Sequence, residues 1–166
     1  MFAQLPLFVQ QFLRFWRVDL APEHRQPSGW RVAIATAASV LASLVADAVL
    51  VAIGTALFPS TRGYVHFRFS DYGKLTVIGV VVACLGWPVV TRVSSSPKWL
   101  YLRLAVVVTL VLWLPDLYIW AKGQPPKAVA VLMVMHLAIA VITYTCMTRL
   151  AKVGERAPAL TPVASA

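Results

Sequence analysis

Charge is scarce in this sequence. Only 13% of its 166 residues are Asp, Glu, Lys or Arg, and six are acidic, where an ordinary soluble domain carries about 25% charged residues. Together with 60% hydrophobic residues and a mean hydropathy of +0.76, this excludes a water-soluble fold, which could not hide so much apolar surface at this size. The chain therefore reads as an integral membrane protein. A large catalytic domain on either side is excluded as well, because nearly every residue is needed for the spans. Cysteine is equally sparse, and Cys84 and Cys146 sit inside apolar stretches without metal-ligand or redox spacing. No HExxH, no glycine-rich nucleotide loop and no acidic cluster suited to a metal-dependent transferase occurs, so no catalytic residue, metal or cofactor is expected. A cleavable signal peptide is not expected either. The N-terminus is apolar before it is basic, contains Pro6, and lacks a small-residue cleavage site ahead of Arg14 and Arg17.

Four long apolar segments are present, at about 32–57, 74–91, 100–120 and 128–148, each near the ~20 residues that cross ~30 Å of hydrocarbon. Backbone groups left unpaired in lipid are too costly for anything but helices or a closed barrel, and barrel-type alternation is missing. The fold class predicted is all-α, an integral membrane four-helix bundle, with the longest first span tilting or projecting. Basic residues orient it. Arg14, Arg17, Arg25, Arg31, Arg92, Lys98, Arg103, Arg149, Lys152 and Arg156 fall on one side, and Arg62, Arg68, Lys74, Lys122 and Lys127 on the other. Ten against five places both termini in the cytoplasm of a multi-pass plasma (inner) membrane protein. The net charge of +9 then implies contact with anionic membrane lipid and not with nucleic acid.

Residues 1–30 form a first unit, a cytoplasmic amphipathic helix and linker. Leu5, Phe8, Val9, Phe12, Leu13 and Trp16 recur at helical spacing, with Gln10, Arg14 and Arg17 on the other face. That pattern predicts a helix lying on the membrane, Arg reaching head-group phosphates; the alternative is an irregular apolar arm on a partner. Pro22 and Pro27 read as a turn leading to Trp30, an interface anchor. Residues 31–150 form the four-transmembrane-helix domain, and 151–166 a flexible cytoplasmic tail. In the outer loop 59–73, Tyr64, His66 and Arg68 alternate with Val65, Phe67 and Phe69, which fits either a short extended piece or a plain structured loop. The loop around Gly123-Gln124-Pro125-Pro126 is tight and makes spans three and four antiparallel neighbours.

Small residues indicate packing. Ala35, Ser39, Ser43 and Asp47 step by four along span one, and Thr76, Gly79, Ala83 and Gly86 by three or four along span two, so these two spans are expected to pack together. Pro88 is expected to kink or end span two. Span three, rich in Val and Leu, is the one expected to face lipid or a partner subunit. Three ionisable residues lie in or near the hydrocarbon. Asp47 is roughly 15 Å and His136 roughly 12 Å from the outer face. Asp116 is placed nearer the surface, meeting water or head groups, with Trp113, Tyr118 and Trp120 in the outer aromatic belt. Asp47 and His136 could form a proton- or cation-coupled pathway, or a buried pair that fixes helix packing or docks another subunit. Small multidrug exporters are similar in size, but their coupling uses a first-helix glutamate where this chain has Ser39, Ser43 and Asp47; Glu23 and Glu155 lie outside the membrane.

The run Val131-Leu132-Met133-Val134-Met135-His136-Leu137-Ala138-Ile139-Ala140 and the Trp113-Leu114-Pro115-Asp116 ending of span three resemble small four-helix membrane proteins of actinobacteria. Those proteins often show a Leu-Met-His-Leu run, which maps onto Leu132 through Leu137 with Val134 interrupting it. Within that group the chain is similar to accessory proteins of Mce-type lipid importers. The resemblance implies a non-catalytic subunit that stabilises or regulates an importer of fatty acids or sterols, touching permease subunits and, through loop 59–73, periplasmic ones. A subunit of a respiratory or secretion assembly would share the same features.

Overall fold

The computed structural model describes residues 6–20 and 24–154. Leu5, Pro22 and the tail beyond Gly154 lie outside the described residues. A short helix α1 (Leu7–Trp16) precedes four long ones, α2 (Gly29–Leu57), α3 (Phe69–Val93), α4 (Pro97–Ala121) and α5 (Pro126–Leu150), and no strand occurs among the described residues. With 29 residues in α2 and 25 in each of the others, the helices are about 44 and 38 Å long at 1.5 Å per residue. All four are long and apolar enough to cross a membrane. They outrun the apolar segments by two to five residues at most ends, because backbone hydrogen bonding continues past the last apolar residue. Prolines at the first helical position start α4 and α5, where the missing N–H is no loss.

α2 packs on α3, as expected, and more extensively on α5. Ala35, Ser39, Ser43 and Asp47 are all fully buried, as the small-residue stripe implies. On α3, only Thr76 of the expected stripe is buried; Ala83 and Gly86 are half-buried, and Gly79 is exposed with nothing within 4 Å of the space a Cβ would fill. The buried face of α3 carries Tyr72, Gly73, Thr76, Val80, Cys84, Trp87 and Val90 instead. Glycine spacing misled here because small residues tolerate the lipid face as well as the packed one. The close approach is made by Gly54 of α2, where a Cβ would meet Val131 of α5 at 2.8 Å.

The end of the bundle beside α1 is built on Trp87, whose indole N–H donates to Ala151 O at 2.8 Å, with Tyr101 edge-on at 5.2 Å. Pro88 does not end α3, which runs on to Val93. Tertiary neighbours hold the helix through its missing hydrogen bond. Loop 59–73 is not extended: it holds two short 3₁₀ turns, Pro59–Thr61 and Val65–Phe67, that bury Thr61 and Phe67 against the end of the bundle, and from Phe69 it is already α3. The i→i+3 turn tucks Phe67 inward, which an exposed strand could not do.

α1 is a helix whose apolar side is divided. Phe8 (72% exposed) and Phe12 (60%) face out, while Trp16 packs against the inner core. Arg14 is exposed in the last turn, and Arg17 lies just beyond it as a left-handed cap. The α3–α4 turn holds α1 in place: Val93 O accepts from the N–H groups of Asp19 and Leu20, and buried Ser94 donates Oγ–H to Arg17 O at 2.7 Å. An isolated antiparallel bridge joins Arg25 to Gly154, so the linker before α2 and the segment after α5 meet at the same end of the bundle.

Candidate functional site

The buried face of α2 is polar for three successive turns, because Ser39, Ser43 and Asp47 recur every four residues on one side of the helix. Ser39 returns its hydroxyl to Ala35 O at 2.7 Å, a local bond that satisfies it without a partner helix. Asp47 reaches across to α3, where Thr76 donates its hydroxyl to Oδ2 at 2.6 Å. The other carboxylate oxygen, Oδ1, has no hydrogen-bond partner among the described residues, nor has the Ser43 hydroxyl. His136 of α5 lies within electrostatic range of Asp47, as does Tyr72.

Asp116 corrects the sequence expectation. It does not meet water at the surface but is 5% exposed inside the bundle, with Oδ2 3.0 Å from Nδ1 of His136. α4 continues through Pro115 to Ala121, which puts Asp116 about 8 Å below the helix end. The contact is off the axis of a hydrogen bond, so Asp116 Oδ2 and His136 Nδ1 both remain without a hydrogen-bond partner among the described residues. From the outer loop, the Tyr64 hydroxyl is also buried and unpartnered. Burial pushes that phenol above its ordinary range, and the nearby Asp116 carboxylate adds to the shift.

The three intramembrane polar residues read from the sequence thus come together, each on a different helix. Thr76, expected only as a packing residue, is the hydrogen-bond donor to Asp47. Tyr64 and Thr143, the latter buried on α5 with an unpartnered hydroxyl, carry no sequence signal, since a single Tyr or Thr in these positions is unremarkable. Trp113 leaves the expected aromatic belt and donates its indole N–H to Met133 O at 3.0 Å, tying α4 to α5. Tyr118 and Trp120 are 63% and 53% exposed near the outer end of α4, in keeping with the belt.

Chemically, the Asp116 carboxylate and the His136 imidazole, 3.0 Å apart, form one polar pair, and Asp47 with Thr76 forms another. Several buried polar atoms have no hydrogen-bond partner among the described residues, at a cost of about 1–3 kcal/mol each. The thiols Cys84 and Cys146 are free, Cys84 lying beside Ser39 of the polar face, and among the described residues no three His, Cys, Asp or Glu side chains could hold a metal ion together.

No curated protein and no solved structure matches the chain. Residues 24–153 match DUF6069, a family of unknown function, and cover the four long helices and the polar cluster between them; the chain belongs to that family.

Proposed function

We propose that this protein is a non-catalytic accessory subunit that stabilises or regulates a larger membrane complex, with the permease subunits of an Mce-type fatty-acid or sterol importer as its expected partner. The observation that carries the reading is the state of α4. Only Pro97, Leu100, Tyr101, Thr109 and Asp116 of its 25 residues are buried, leaving a continuous Val/Leu surface turned away from the bundle. Polar groups point inward and the outward face is apolar, which suits docking beside another membrane helix. Both termini lie in the cytoplasm of the plasma membrane in this reading, and loop 59–73 reaches periplasmic subunits. Affinity purification of natively expressed protein in mild detergent, followed by mass spectrometry, tests it. Near-stoichiometric permease, ATPase and periplasmic tunnel subunits are expected. Respiratory or secretion subunits would redirect the partner, and recovery alone would overturn the reading.

A second reading is favoured by the convergence of Asp47, His136 and Asp116, which would serve a small proton- or cation-coupled transporter. The two readings separate on Asp47→Asn. In the accessory-subunit reading, reconstituted wild-type protein carries no proton-coupled flux and the variant weakens helix packing or complex recovery by about 1 kcal/mol. A flux by wild-type protein alone that the variant abolishes establishes the transporter instead.

A further inference from the structure

Arg103 sits six residues into α4, about 9 Å along the helix, in an apolar run where a cation is expensive unless something receives it. Its guanidinium lies 3.5 Å from the Trp99 ring centre and 3.9 Å from that of Phe15, and Nη1 donates to Phe15 O at 2.8 Å. Arg17, at the end of α1, brings a second guanidinium to 4.7 Å from the same indole and donates Nη1–H to Ser96 Oγ at 3.3 Å. Neither arginine forms an ion pair with a carboxylate among the described residues. Each guanidinium has several N–H donors in a planar fork, and among the described residues only Nη1 of each is hydrogen-bonded. Two like charges gathered at one indole repel unless an anion sits between or beside them.

The surroundings say which anion. Leu7, Phe8, Phe12 and Phe15 of α1 are all more than half exposed, an apolar face of the kind that embeds at the boundary between head groups and acyl chains. That places the two guanidiniums at phosphate depth. We infer that Arg17, Trp99 and Arg103 form a binding site for the phosphate of an anionic phospholipid, in the leaflet on the side of α1 and the α3–α4 turn. The head group is one without a cationic amine. A choline would bring a third positive charge to an indole that two guanidiniums already occupy, whereas a phosphodiester with a neutral or second anionic substituent meets the forks with its oxygens. The site is independent of which complex, if any, the protein joins.

The test uses the full chain purified in mild detergent, with phosphatidylglycerol or phosphatidylcholine added and the bound lipid counted by native mass spectrometry. Wild-type protein retains phosphatidylglycerol in preference. Arg17→Gln, which leaves the Arg103–Phe15 contact in place, lowers that retention about fivefold, the factor for one basic group near an anionic surface. Arg103→Gln lowers it at least as much. If that variant does not fold, Arg17→Gln alone decides. Arg62→Gln, in the outer loop, leaves retention unchanged. Equal retention of the two lipids, or wild-type retention by Arg17→Gln, overturns the site. Displacement of phosphatidylglycerol by inorganic phosphate overturns it too, because the pocket would then recognise a free anion and not a lipid.

Discussion

At Gly54 the most extensively packed helix pair, α2 and α5, meets where a Cβ would stand 2.8 Å from Cγ2 and 3.2 Å from Cγ1 of Val131. Valine is branched at Cβ and cannot swing away, so an added methyl has to push the helices apart. Gly54→Ala is expected to destabilise the bundle by about 1–3 kcal/mol, read as a lower midpoint in mixed-detergent unfolding, and Val131→Ala added to it should restore most of the loss. Gly79→Ala, on the exposed side of α3, should leave the midpoint unmoved. Small-residue spacing picks out Gly79 and passes over Gly54. What distinguishes them is the neighbouring helix, and lipid-facing and core-facing surfaces are both apolar, so no periodicity announces which is which. Asp116 was misplaced for a related reason. Counting residues from a helix end gives depth, but the partner that draws a carboxylate inward, His136, lies on another helix.

Among the elements, the long helices were the most legible, since length and hydropathy alone define a span. The division of α1 was less so. Its spacing gives an apolar face, but only the docked structure shows that Trp16 turns to the bundle while Phe8 and Phe12 turn to the membrane. Ser94 fixes that posture: fully buried, it donates to Arg17 O at 2.7 Å and accepts from the Ser96 N–H at 3.1 Å. Ser94→Ala leaves both backbone groups short of a partner, costing about 1–3 kcal/mol. Hydrogen exchange is the measurement. Residues 7–20 should exchange faster, with α2 to α5 keeping their protection; loss of protection throughout would show that α1 docking and bundle folding are one event.

For the molecule as a whole, topology brings α1, the α3–α4 turn and the segment after α5 to one end of the bundle, and the bridge between Arg25 and Gly154 makes that explicit. The surplus of basic residues at that end predicts its side of the membrane. Ser60, exposed in the outer loop, and Ser95, exposed in the α3–α4 turn, provide the check. Ser60→Cys should react with a membrane-impermeant maleimide on intact cells and Ser95→Cys only after permeabilisation; the reverse pattern would invert the molecule.

The contact between Arg25 and Gly154 also dictates a sequence of events in time. Gly154 donates its N–H to Arg25 O at 2.9 Å, and Ala151, three residues earlier, receives the Trp87 indole. Both acceptors and donors on the C-terminal side are made last by the ribosome. The latch on the early linker therefore depends on a segment synthesised after all four long helices. A chain cut short before Gly154 would keep the four spans and lose this clasp.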